Sequence, residues 1–185
     1  MLPREFYFKD TVTVARNILG KRIVRKIGKS EIIGIITETE AYGYTNDPAS
    51  HAFRNQTERN KAMFEQVGHA YVYFTYGMHY CFNVVARNEK TKAGAILIRA
   101  IKPEKGIKKM QENRGSANLP NLTNGPAKLT QALQITKKHY GVDLTQDPKL
   151  FITEGIKPKK IIASPRVGIK KATEKLWNFK IDLKI

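Results

Sequence analysis

The sequence predicts an α+β fold, a mainly antiparallel mixed sheet with surrounding helices, as a single domain over residues 1–185. Three observations predict it. Runs rich in β-branched and aromatic residues recur through the N-terminal half and are separated by short glycine-containing turns. Apolar residues at helical spacing are confined to a few short segments. No internal repeat, low-complexity tract or Pro/Gly/Ser linker divides a chain whose length suits one hydrophobic core.

The elements follow in order. Residues 11–19 place apolar side chains at helical spacing and predict a short helix. Residues 21–27 and 31–42 are β-rich and flank Gly28-Lys29-Ser30, which predicts a hairpin. Residues 44–66 are polar and irregular, with Asn46-Asp47-Pro48 as a turn and a short helix near 59–64. Residues 70–86 form the most β-like run, and Gly77 marks a hairpin tip or sharp bend within it. Residues 95–101 predict another strand, Pro103 a helix running toward Asn113, and residues 115–124 a polar loop. Pro126 opens a second helix through Ile135, with Leu129, Ala132 and Leu133 on its apolar face. Short strands and turns complete the chain.

Composition narrows the function. Hydrophobic residues make up 41%, a globular proportion. No stretch is apolar for long enough to cross a bilayer, and the first residues lack a secretory signal pattern, so an intracellular location is expected. Lys and Arg number 33 against 16 Asp and Glu, a net charge of +17 that points to a polyanionic partner. A solvated lysine-rich surface explains the same charge. Cys81 is the one cysteine, so there is no internal disulfide and no paired-cysteine zinc site. It lies in a strand-like run and reads as packing. His69, His79 and His139 have no metal-ligand spacing, and no metal site is expected.

Three clusters carry chemistry. Glu38 and Glu40 end an apolar strand two residues apart and therefore share a face. They suit either a solvated strand end or a general base held near low dielectric. Tyr71, Tyr73, Phe74, Tyr76, Tyr80 and Phe82 crowd one segment. Most such rings are core, but a tyrosine at a hairpin tip can wedge between base steps, and tyrosines around a cavity can sandwich a planar base. Arg99 is embedded in an apolar strand and needs a partner, for which Glu40 is suited either as a structural ion pair or as part of a site. His51, in the loop after the Glu40 strand, is either solvated or a hydrogen-bonding group for a base edge. A nucleic-acid-binding module accounts for the charge and the aromatics, but not for Glu40 and Arg99. A metal-dependent nuclease would need more clustered carboxylates than Asp143 and Asp147.

These clusters stand in an order that resembles a known family. Glu38-Thr39-Glu40-Ala41-Tyr42, Ser50-His51-Ala52-Phe53, Thr57-Glu58-Arg59-Asn60, the run from Tyr71 to His79, Asn83-Val84-Val85 and Leu97-Ile98-Arg99-Ala100 follow the alkyladenine (3-methyladenine) DNA glycosylases. Asn124-Gly125-Pro126-Ala127-Lys128 and Arg166-Val167-Gly168 continue the resemblance over nearly the whole chain. It implies a monofunctional glycosylase, without metal or organic cofactor, that acts as a monomer on double-stranded DNA carrying damaged purines. The substrates implied are 3-methyladenine and 7-methylguanine, with hypoxanthine and ethenoadenine as neutral counterparts, and the product is an abasic site.

By the same resemblance Glu40 is the general base, and Arg99 and a main-chain group at Val167 hold the attacking water. Tyr42, His51 and Tyr73 line the base pocket, and Asn83 crowds the purine 2-amino position. Tyr76 enters the minor groove from a protruding hairpin. Thr57, Arg59, Gly77, Met78, His79 and Lys128 lie along the phosphate backbone. Glu58 departs from the family pattern, which has proline there. A carboxylate at that point weakens attraction for phosphate and leaves the turn without proline's constraint.

Overall fold

The computed structural model describes residues 1–115 and 118–183. Its centre is one eight-stranded antiparallel sheet. The strands are β1 (Arg22–Ile27), β2 (Ser30–Tyr42), β3 (Ala70–Thr75), β4 (His79–Val85), β5 (Ala95–Lys105), β6 (Leu150–Thr153), β7 (Ile162–Ser164) and β8 (Asn178–Lys180). The main path runs β3-β4-β5-β2-β1-β6, and β8 pairs with both β2 and β7. The long β2 holds the sheet together. It carries β5 on one side, and on the other β1 along its first half and β8 near its end.

Among the described residues four α-helices pack around this sheet: α1 (Arg4–Tyr7), α2 (Thr11–Asn17), α3 (Ile107–Arg114) and α4 (Pro126–Ala132). α2 is capped by Asp10, whose side chain accepts from the Thr13 N–H. It docks on β2, where the buried Thr39 hydroxyl donates to the Ala15 carbonyl at 2.7 Å. The core beneath includes Val14, Ile18, Ile36, Phe82, Ile96, Leu129 and Leu133, all fully buried. Each large side chain of this kind stabilises the fold by roughly 1.5–3 kcal/mol. Among the described residues no helix is long and apolar enough to cross a membrane.

Several expected elements differ from those found. Pro103 does not open a helix: β5 continues through Lys105, with Pro103 opposite Gly34, and α3 begins only at Ile107. The register shifts between Ile33 and Gly34 on β2, and a strand tolerates proline at such an irregularity because no ladder N–H is required there. Gly34 has its own role, since a Cβ at that position would meet Ile101 Cδ1 at 2.6 Å. α4 stops at Ala132, because Gln134 takes a left-handed φ of 49° and the Ile135 N–H turns back to the Thr130 carbonyl. Only a 3-10 turn at Lys61–Phe64 occupies the expected helix at 59–64, and α1 was not anticipated. The 115–124 loop contains a 3-10 turn at Leu119–Asn121, and Ser116 and Ala117 lie outside the described residues.

β3 and β4 form the hairpin expected around Gly77. At its tip Tyr76 and Gly77 have φ of 51° and 67°, the positive values that a type I′ turn needs at both central positions. The Met78 N–H closes the turn on the Thr75 carbonyl. Glycine adopts this backbone without cost, whereas tyrosine does so under strain.

Candidate active site

Strand register gathers the candidate residues. Six directly paired positions run across the sheet as one row: Tyr71, Asn83, Leu97, Glu40, Asn178 and Ser164. Directly opposed side chains share a face, so residues far apart in sequence line one floor. Beside this row Glu38 pairs with Ala100 and Thr39 with Ile98, which leaves Arg99 as the extra residue of a β-bulge. Bulges re-aim a side chain, and this one directs the Arg99 guanidinium between Glu38 and Glu40.

Glu40 is fully buried and surrounded by donors. Its Oε1 accepts from the Val167 N–H at 2.7 Å and from Asn178 Nδ2 at 3.1 Å. Its Oε2 accepts from the Tyr42 hydroxyl at 2.8 Å and from Arg99 Nη1 at 3.5 Å. The partner expected for Arg99 was Glu40, yet the shorter contact is Arg99 Nε to Glu38 Oε1 at 3.0 Å. Burial, followed by the charge of Glu40, pushes the Tyr42 hydroxyl far above its ordinary pKa, so it remains a donor.

Above the floor lies a pocket of about 280 Å³ lined by Tyr42, His51, Tyr71, Tyr73, Asn83, Arg99 and Val167, among others. This is near the lower end of small-molecule sites, ~300–1,000 Å³. Tyr71 and Tyr73 stand on one side with ring centroids 5.4 Å apart. His51 meets the edge of Tyr73 at 4.7 Å and places Nδ1 2.9 Å from the Tyr71 hydroxyl. Desolvation of the ring, and then the positive charge of Arg59, lower the His51 pKa, which keeps the imidazole neutral near neutral pH. Asn83 donates its amide to the Tyr71 carbonyl at 2.9 Å, which turns its own oxygen away from that bond. Cys81 is buried, as expected, and it also lines this pocket; burial raises its pKa and keeps it a thiol.

Tyr42 is supported from outside the pocket. The Arg166 guanidinium lies 4.7 Å from its ring centroid and 5.2 Å from that of Trp177. Arg166 is held by a bidentate ion pair with Asp47 at 2.6 and 2.7 Å, both side chains being fully buried. The Val167 N–H that binds Glu40 is the next link of the same chain segment.

The residues expected along a DNA backbone are more dispersed. Tyr76 and Met78 project from the hairpin tip, 87% and 68% exposed, with Gly77 between them and His79 at the base of β4. Arg59 turns back over the Tyr73 ring at 5.3 Å and donates to the Phe74 carbonyl, so it forms part of the pocket wall. The Thr57 turn is tied by Asn60, whose Oδ1 accepts from the Thr57 N–H and whose Nδ2 donates to the His51 and Asn55 carbonyls. That buried asparagine supplies the constraint that proline was expected to give, and the exposed Glu58 pairs with Lys61 at 3.1 Å. Lys128 lies on α4 and bonds to Asn124 Oδ1 at 2.8 Å.

Sequence reasoning did not identify Asn178, Asp47 or Arg166 as parts of the site, and it gave Tyr71 no role beyond the aromatic cluster. Asn178 sits in a three-residue strand with no motif around it. Arg166 and Asp47 fall inside recognisable segments, but their pairing spans more than half the chain.

Comparison with known proteins shows the family. Residues 5–184 match the family model described as Methylpurine-DNA glycosylase (MPG). A protein of Carboxydothermus hydrogenoformans named "Putative 3-methyladenine DNA glycosylase" is 47% identical over 181 residues, covering 97% of this chain and 94% of the relative. Relatives of the same printed name from Francisella tularensis and Chlorobaculum tepidum are 46% and 44% identical. They cover 92% and 95% of this chain, and 90% and 85% of their own lengths. The buried Glu40 beneath a tyrosine-walled pocket thus belongs to a member of the methylpurine-DNA glycosylase family, hydrolases that cleave N-glycosidic bonds in DNA repair.

Proposed function

We propose that this enzyme flips an alkylated or deaminated purine out of double-stranded DNA into the pocket and hydrolyses its glycosidic bond with a water activated by Glu40. The carrying observation is the set of donors around Glu40. Each of its oxygens accepts two hydrogen bonds, and three of the four donor residues, Val167, Tyr42 and Arg99, line the pocket. A water at that wall would meet Oε2, the Arg99 guanidinium and the main chain at Val167. Its oxygen attacks the anomeric carbon and its proton passes to Glu40. The electron pair of the broken bond leaves with the purine. A cationic base such as 3-methyladenine departs neutral and needs no proton. The same lesions pair weakly and flip at lower cost, which supplies part of the selectivity.

Within the pocket Tyr42 and Tyr73 stack on the base, the neutral His51 bonds its edge, and Asn83 crowds the purine 2-amino position and so rejects normal guanine. Thr57, Gly77, Met78, His79 and Lys128 contact the backbone, joined by Arg59 once it leaves Tyr73. No lysine lines the pocket among the described residues, in keeping with a hydrolytic step that leaves an intact abasic strand. The test is a panel of duplexes with single alkylated or deaminated purines, incubated in EDTA. Release of free base, with strand breakage only after alkali, supports the reading. Binding without release, metal-rescued nicking, or a borohydride-trapped adduct overturns it.

Tyr76 fills the gap left by the flipped nucleotide, and its strain makes this assignment testable. A bulky residue in the left-handed region costs on the order of 1–3 kcal/mol. Tyr76→Gly is therefore expected to unfold at the same temperature as the wild type or higher. Base–aromatic stacking is worth ~1–3 kcal/mol, so excision from duplex falls roughly tenfold to a hundredfold in the same variant. Thermal unfolding and single-turnover excision on one preparation read the opposite signs. Equal excision by both proteins removes Tyr76 from the mechanism.

A further inference from the structure

We propose that Asn178, together with Glu38, positions Glu40 and sets its affinity for a proton. The proposal rests on Glu40 as the base and makes it one member of a coupled pair of carboxylates. Asn178 Nδ2 lies 2.8 Å from Glu38 Oε1 and 3.1 Å from Glu40 Oε1. One amide nitrogen thus bridges the two acids. The orientation of that amide is fixed from the other side, where the Ser164 hydroxyl donates to Asn178 Oδ1 at 3.2 Å. Cross-strand pairing places Ser164, Asn178 and Glu40 in line, so the three-residue β8 serves to deliver this amide.

Two carboxylates held by one donor repel each other, and burial strengthens the repulsion. The cations divide between them. Arg99 spans both acids but is closer to Glu38, and Lys180 Nζ adds 3.3 Å contact to Glu38 alone. The other groups facing Glu40 are the Tyr42 hydroxyl on its own strand, the Cys81 thiol on β4, and the neutralised Arg166–Asp47 pair behind Tyr42. Glu38 therefore takes most of the compensating charge, and Glu40 is held mainly by neutral donors. Asparagine meets that need, because its two protons satisfy both acids without adding charge.

Asparagine and aspartate have nearly the same shape, so Asn178→Asp places a third oxygen where the bridging N–H₂ stood. The acid limb of the pH profile for single-turnover excision, on a lesion that the wild type releases, is expected to move upward by about one unit or more. Glu38→Gln removes the repelling charge and frees Arg99 for Glu40, so the same limb moves downward. A merely structural contact predicts slower turnover or lower stability, not opposite shifts. Thermal unfolding and duplex affinity are measured on both variants, and if Asn178→Asp does not fold, Glu38→Gln decides alone. Limbs that stay in place while Glu40→Gln is inactive overturn the positioning role and leave the base intact. Full turnover by Glu40→Gln overturns the base itself, and the positioning role with it.

Discussion

Replacing Glu40 with glutamine is expected to reduce base excision by ~10²–10⁴-fold, the usual contribution of a positioned general base. The fold should survive. Glutamine keeps the size of the side chain and an acceptor oxygen for the Val167 N–H. Arg99 is not left as an unpaired buried charge, because its shorter contact is to Glu38. The exchange therefore removes proton acceptance with little disturbance of the pocket. DNA affinity should stay close to that of the wild type, since Tyr76 and the surface cations are untouched. Single-turnover release of a lesion that the wild type excises, measured beside fluorescence anisotropy on the same duplex, separates the two quantities. Turnover within about threefold of wild type, far from the loss expected on removing a general base, would sink the assignment. Glu40→Ala is a poorer probe, because it leaves a cavity and four donors without their acceptor.

How much of this was legible in the sequence depended on sequence distance and on which force decided each element. The β1–β2 and β3–β4 hairpins were readable because β-rich runs flank short turns, and local chemistry decides such pairs. The end of β5 was not. Pro103 carries a local preference for a helix start, and pairing with β2 overrides it. Glu40, Tyr42, His51, Tyr73, Asn83 and Arg99 could be nominated from motifs, and they meet at one pocket or its floor. Their geometry could not be anticipated. The bulge at Arg99 depends on how β5 slips against β2, and that slip directs Arg99 first to Glu38. Asn178 lies 138 positions from Glu40 and enters through a strand too short to leave a periodic signal.

The Arg166–Asp47 pair carries the largest expected effect on stability. Asp47→Ala should destabilise the protein by ~3–5 kcal/mol, the range found when one partner of a buried ion pair is removed. Three losses coincide. The Arg166 charge stays enclosed between Tyr42 and Trp177, with the Ala41 carbonyl as its remaining acceptor among the described residues. The Gly43 and Ala49 N–H groups lose the carboxylate that ties the turn after β2. The loop holding Val167 loses its anchor to that turn, and with it the N–H donated to Glu40. For a chain of this length each kcal/mol lowers the unfolding midpoint by roughly 2–4 °C, so the shift is on the order of 10 °C. Urea unfolding gives the free energy, and excision well below the midpoint shows whether the pocket walls moved. The double variant Asp47→Ala with Arg166→Met removes both charges and should regain much of the stability, because the uncompensated cation is gone. It should not regain the rate, because Tyr42 would still lack its backing and Val167 its tether. Recovery of both together would mean that the ion pair acts on catalysis only through stability, and that the two loops find their places without it.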